Sequence, residues 1–236
     1  MSLIQAETLT KSYGQGDSLV TALDGVSIEV AAGEFLAVMG ASGSGKSTLL
    51  SVLGAINPPN AGRYLVDGID VYQLKQDQRA DFRREYLGFV FQNFNLIPYL
   101  SVAENVMLPL AIKSLSNREK RELAEEALSR VGLAGKMARL PSQISGGEQE
   151  RTAVARALVN RPPILLADEP TGSLDAATSR EVMGLLSGLA EDGTTIVMVT
   201  HSVECAGHAG RVIEMRDGRL TQVTTGAGAA KLFCAA

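Results

Sequence analysis

Residues 35–39 (Phe-Leu-Ala-Val-Met) form an unbroken apolar run that ends in Gly40-Ala41-Ser42-Gly43-Ser44-Gly45-Lys46-Ser47-Thr48, and residues 47–53 then read as a helix. A run that is apolar at every position suits a strand buried on both faces, as in the sheets of α/β proteins. The pattern G-x-x-x-x-G-K-[ST] between such a strand and a helix is a phosphate loop, here with an extra internal glycine at position 43. Its glycines let backbone N–H groups wrap a β-phosphate without Cβ clashes. Lys46 adds a point charge at the β- and γ-phosphates, and the Ser47 hydroxyl can ligate Mg²⁺. The segment predicts a nucleotide-binding α/β body.

Two further segments carry chemistry. Residues 164–167 read as a second buried strand, ending in Asp168-Glu169. Carboxylates at strand ends sit where such sheets bind ligands, so Asp168 fits a Mg²⁺ partner and Glu169 a general base for an attacking water. The alternative for Glu169 is a cap on the following turn, Pro170-Thr171-Gly172. The pentad Ser145-Gly146-Gly147-Glu148-Gln149 lies just before a predicted helix and is a second phosphate-binding device. One nucleotide does not need both devices from one copy. The economical reading is two copies meeting head to tail, each lending its second device to the other's nucleotide.

Three single residues join this set more weakly. Gln92 follows a buried strand and could reach the metal or the water with a neutral amide, but surface glutamines are common. His201 follows the strand at residues 195–199 and could bond a γ-phosphate, or be an ordinary exposed histidine. Tyr13 could stack on a base through its flat face, or be a half-buried strand aromatic.

Organisation along the chain fits one domain over residues 1–223. Residues 1–35 alternate apolar and polar positions and predict a few antiparallel strands. Asp67-Gly68 and Asp217-Gly218 mark hairpins. Residues 87–91 predict a buried strand, and residues 176–189 a helix. Between them the chain becomes helical, with capping-box patterns at Ser101/Glu104 and Ser116/Glu119, giving an inserted helical subdomain at about residues 93–150. Residues 224–236 read as a flexible tail.

Composition narrows the partners. A net charge of −4 argues against a protein built to grip nucleic acid. Short basic clusters such as Arg83-Arg84 suit solvated helix faces. No stretch approaches the roughly 18 apolar residues of a membrane span, and the first ten residues lack the cationic start of a signal peptide. Cys205 and Cys234 form neither a metal spacing nor an evident pair.

Taken together, these motifs resemble the ATP-binding cassette (ABC) ATPases over residues 2–222. Residues 40–47 are similar to the family's Walker A segment, Gln92 to its Q-loop and Ser145-Gly146-Gly147-Glu148 to its signature. Asp168-Glu169 resemble the Walker B aspartate with its catalytic glutamate. Ser173-Leu174-Asp175 resemble the D-loop, His201 the switch histidine and Tyr13 the adenine-stacking A-loop aromatic. Departures are Ile144 for the usual leucine, Glu148 for glutamine, Ser202 for aspartate and Ser173 for asparagine. A narrower resemblance, carried by residues 87–98 and 101–109, is to the lipoprotein-release, macrolide-export and cell-division branch.

The resemblance implies a P-loop NTPase core with a mixed sheet, an N-terminal antiparallel β subdomain and an inserted helical subdomain. It implies an ATPase using ATP and Mg²⁺, with Lys46, Gln92, Glu169 and His201 catalytic and Ser47, Gln92 and Asp168 around the metal. Tyr13, residues 40–48 and residues 145–148 would hold the nucleotide. It further implies a homodimer on the cytoplasmic face of the membrane, peripheral through a separate permease, powering export or extraction. A soluble relative acting on DNA or the ribosome is the alternative. About a hundred residues separate Ser47 from Ser145 without sustained heptads, too few for a chromosome-maintenance coiled coil. A P-loop kinase would have no use for residues 145–147. The apolar segment Phe94, Leu96, Ile97, Tyr99 and Leu100 could line a groove for a membrane partner's helix, or be core of the insert.

Overall fold

The computed structural model describes residues 2–225. In chain order its strands and α-helices are β1 (Ser2–Tyr13), β2 (Val20–Ala31), β3 (Phe35–Met39), α1 (Lys46–Leu53), β4 (Ala61–Val66), β5 (Ile69–Asp70), α2 (Gln76–Tyr86) and β6 (Leu87–Phe91). There follow α3 (Val102–Met107), α4 (Asn117–Arg130), α5 (Gly146–Leu158), β7 (Ile164–Asp168), α6 (Ala176–Glu191), β8 (Thr195–Thr200), α7 (Val203–Ala206), β9 (Arg211–Arg216) and β10 (Arg219–Thr225).

The strands form two sheets. One is antiparallel, in the order β2-β1-β4-β5. The other runs β10-β9-β3-β8-β7-β6 and is parallel except for β10, which returns from β9 as a hairpin. Both expected Asp-Gly hairpins are present. Asp67 and Gly68 lie at φ 49° and 75°, and Asp217 and Gly218 at 47° and 77°, the doubly left-handed pair that matches the twist of the flanking strands.

Alternation along the parallel strands explains their unbroken apolar sequence. Phe35, Ala37 and Met39 of β3, Leu165 and Ala167 of β7, and Ile196 and Met198 of β8 face one core, shared with α3, α4, α5 and α6. Leu36, Val38, Ile164, Leu166, Val197 and Val199 face the other, shared with α1 and the antiparallel sheet. The inner strands β3, β8 and β7 are therefore covered on both sides, which is why their middle positions are apolar throughout. The carboxyl ends of β3, β8, β7 and β6 are neighbours at one edge. The loops that follow them carry residues 40–48, His201, Glu169 and Gln92.

Capping fixes the insert. Ser101 and Ser116 each accept from the backbone N–H of Glu104 and Glu119, and each glutamate closes the box on the serine N–H at 2.7 Å. Helix α2 has no counterpart in the sequence reading, because among its residues only Phe82 is buried and so no apolar stripe marks it. Its Arg83 is not simply solvated: Nη1 donates to the Ala55 carbonyl at 2.9 Å. β10 extends through Thr225, two residues into the segment read as a tail. The remainder of that tail, including Cys234, lies outside the described residues. Cys205 is a buried free thiol. Among the described residues no helix is long and apolar enough to cross a membrane.

Candidate functional site

The phosphate loop leaves β3 and enters α1 through Gly45, at φ 105°. A Cβ there would lie 2.2 Å from the Ala22 carbonyl oxygen, so both the left-handed turn and the packing on β2 require glycine. Gly43, at φ 80°, has nothing within 4 Å of where a Cβ would stand, and with Ala41 and Ser42 it forms the exposed lip of the loop. Lys46 is only 7% exposed, and its Nζ donates to the carbonyls of Gly40 (2.7 Å) and Ala41 (2.9 Å). The ammonium is thus held inside the loop's concave side. Ser44 is buried and its hydroxyl has no hydrogen-bond partner, an orphaned polar group in the loop. Ser47 is exposed at the first turn of α1 and Thr48 half-buried beside it.

Asp168 ends β7, in register with Val199 of β8 and Phe91 of β6. Burial pushes its carboxyl above the ordinary range and the Glu169 charge adds to that, while the nearby Ser47 hydroxyl and Lys46 act in the opposite sense. A carboxylate and a hydroxyl facing each other form an all-oxygen donor set, which fits a small hard cation that keeps most of its water.

Glu169 sits at φ 48°, a conformation rare for a non-glycine residue, and its N–H donates to the Val199 carbonyl at 3.0 Å. Its Oε2 contacts His201 Nδ1. The glutamate side chain is 16% exposed and the histidine 66%, so the pair bridges the sheet edge and the open surface.

Gln92, exposed at the end of β6, lies against the turn after Glu169. Its Nε2 is 3.0 Å from where a Cβ on Gly172 would stand, and its carbonyl accepts from Ser173 Oγ at 3.2 Å. Beyond it Phe94 and Asn95 are left-handed, at φ 54° and 49°. Arg156 of α5 donates to both of their carbonyls, from Nη2 at 2.6 Å and Nη1 at 2.5 Å. Sequence reasoning did not single out Arg156: its partners are about sixty residues away in the chain and no local pattern announces them.

Residues 145–148 stand apart from this edge. Ser145 caps α5, accepting from Glu148 N–H at 3.3 Å, and Glu148 Oε2 accepts from Ser145 N–H at 2.9 Å. That backbone bond holds the Glu148 carboxyl below its usual range. Gly147 faces Thr178 at the start of α6, whose cap is Asp175. Helix α5 packs on α3, α4, α6 and β6, whereas α1 packs on β2, β7 and β8. Tyr13 stands in the antiparallel sheet, 43% exposed at the end of β1, with the Lys11 ammonium 5.3 Å from its ring centre. One chain therefore gathers residues 40–48, Gln92, Asp168, Glu169 and His201 along one sheet edge, and presents residues 145–148 and Tyr13 from other layers.

A phosphate loop and strand-end carboxylates on one parallel sheet, with a helical insert carrying a second glycine-rich helix start, define a P-loop nucleotide-binding cassette. The family model described as "ABC transporter" matches residues 23–172. The chain is 46% identical over 222 residues to a macrolide export ATP-binding/permease protein, MacB, of Sodalis glossinidius, covering 94% of this chain and 34% of that protein. The MacB protein of Syntrophobacter fumaroxidans is 48% identical over 221 residues, covering 92% and 31%. The chain thus spans about a third of the length of the curated relatives it matches. Among solved structures, the dimeric post-hydrolysis ATP-binding cassette MJ0796 bound to ADP and Pi superposes with a TM-score of 0.85 at 41% identity, covering 94% of this chain and 98% of that one. The cbiO1 protein of Clostridium perfringens, part of the transporter complex cbiONQ, gives 0.87 at 29% identity, covering 99% and 91%. The chain belongs to the ABC transporter family and is an ATPase cassette of that family.

Proposed function

We propose that two copies of this chain close head to tail on ATP and hydrolyse it, and that closure drives a membrane permease working outward, in the manner of macrolide efflux or lipoprotein extraction. The observation that carries the reading is the separation of the two phosphate devices, residues 40–48 on α1 and residues 145–148 on α5, onto different layers of one chain. The dimeric state described for the MJ0796 cassette and the export role in the MacB name support it.

In this reading Tyr13 stacks on the adenine, the loop N–H groups and Lys46 hold the β- and γ-phosphates, and Ser145 and Gly147 of the second copy meet the γ-phosphate. Ser47 and Asp168, with Gln92, would hold Mg²⁺, which when bound neutralises phosphate charge. Glu169 takes a proton from the attacking water as its oxygen bonds to the γ-phosphorus, and the bond to the bridging oxygen breaks to leave ADP. A positioned base contributes about 10²- to 10⁴-fold in rate. His201 orients Glu169 through their contact and faces the γ-phosphate. Positioning and charge stabilisation make up most of such catalysis, and neither is complete until both copies contribute.

A surface groove of about 630 Å³, lined by Ile56, Phe89, Phe91, Leu108 and Ile112 beside Arg156, is the proposed seat for a cytoplasmic helix of the permease. The expected segment does not form it: Phe94, Leu96, Ile97 and Leu100 are half-buried, and Tyr99 is 78% exposed. In this reading the chain sits on the cytoplasmic face of the membrane, held there by that partner. Glu169→Gln tests the shared site. It should slow hydrolysis by about 10²-fold or more and elute as a dimer on gel filtration with saturating Mg-ATP; a variant that stays monomeric there would defeat the reading.

A further inference from the structure

We propose that Arg156 is a positioning residue for Gln92, clamping the loop that follows it. The inference rests on the nucleotide site described above.

Two observations carry it. First, the Arg156 fork donates to the carbonyls of Phe94 and Asn95 at 2.6 and 2.5 Å. A planar guanidinium reaches two adjacent carbonyls at once, which an ammonium does not. Second, those carbonyls belong to consecutive left-handed residues, neither of them glycine. Such backbone persists only where its surroundings over-determine it, and Arg156 is the side chain that does so.

The placement makes the clamp consequential. Helix α5 is capped by Ser145 and carries Arg156, so the clamp joins the second phosphate device to the Gln92 loop within one chain. Asn95 and Arg156 also line the apolar groove, so a helix seated there presses directly on the clamp.

The test uses the full chain. Arg156→Lys keeps the charge but loses the fork. It should lower kcat by about tenfold to a hundredfold, the effect of a misplaced positioning group, with KM for ATP within about twofold because base and phosphate contacts are intact. A nitroxide on Asn93→Cys, in a Cys234→Ser background, should become mobile in Arg156→Lys at temperatures well below unfolding. An unchanged kcat or an immobile label would overturn the proposal. If the wild-type chain and Glu169→Gln hydrolyse ATP equally, the reading of the site itself fails, and this inference with it.

Discussion

Gly147 offers a sharp test of how residues 145–148 are held. A Cβ at this position would lie 2.2 Å from Cγ2 of Thr178, where carbon atoms normally rest about 3.5–4.0 Å apart. Thr178 cannot turn away freely, because its Oγ1 donates to Asp175 Oδ2 at 2.6 Å and its N–H to Oδ1 at 3.0 Å. The start of α6 and the start of α5 must then move apart by more than 1 Å. Overpacking of this kind costs about 1–3 kcal/mol, or roughly 2–4 °C in midpoint per kcal/mol for a chain of this size. Gly147→Ala should therefore lower the melting temperature in differential scanning calorimetry and abolish ATP-driven dimerisation. Thr178→Ser deletes Cγ2 and keeps the hydroxyl, and the next nearest atom, Thr178 Cβ, is an ordinary 3.6 Å away. The double variant should recover the lost stability. If it does so without recovering dimerisation, the new methyl itself obstructs the γ-phosphate. If Gly147→Ala leaves stability unchanged, or Thr178→Ser gives no rescue, the contact argument is wrong.

Glu150→Gln should change how stability depends on pH. Burial pushes the Glu150 carboxyl from 4.5 up to about 8, with the Arg156 charge opposing. Between those values only the folded chain holds the proton, so stability falls as pH rises through the window and the deficit is complete above it. At about 1.4 kcal/mol per pH unit the deficit is on the order of 5 kcal/mol, and glutamine does not incur it. In urea titrations the variant's advantage should be near zero at pH 5 and largest at pH 9; an advantage independent of pH would refute the assignment. Ile112→Asp places a charge on a groove residue that is 71% exposed, so folding should change by less than about 0.5 kcal/mol. Basal hydrolysis should persist while association with the permease in detergent is lost; retained association would remove the groove from the interface.

Legibility in the sequence followed locality. The strand, phosphate loop and helix at residues 35–53 were readable because each is specified by adjacent residues, and both Asp-Gly hairpins because the turn demands those residue types. The boxes at Ser101 and Ser116 were readable for the same reason. The pentad read as a phosphate device is also such a box, with Ser145 capping α5 and Glu148 closing it. Helix α2 was not readable, because it is held by Phe82 and by Arg83 on Ala55 rather than by an apolar stripe. The groove draws on α2, β6 and the turns after α1 and α3, so no contiguous segment could reveal it. The Arg156 clamp and the contact of Gly147 with Thr178 depend on tertiary approach and leave no local signature.

Complementation between two inert variants tests the shared site most directly. Lys46→Ala removes the phosphate-loop charge, and Ser145→Arg blocks the second device. If each site takes one device from each copy, a heterodimer of the two holds one intact site. Each variant alone should then be inert in single-turnover hydrolysis, and an equal mixture should show about a quarter of the wild-type amplitude from random pairing of copies. An inert mixture, or full activity in Ser145→Arg alone, would contradict the head-to-tail arrangement.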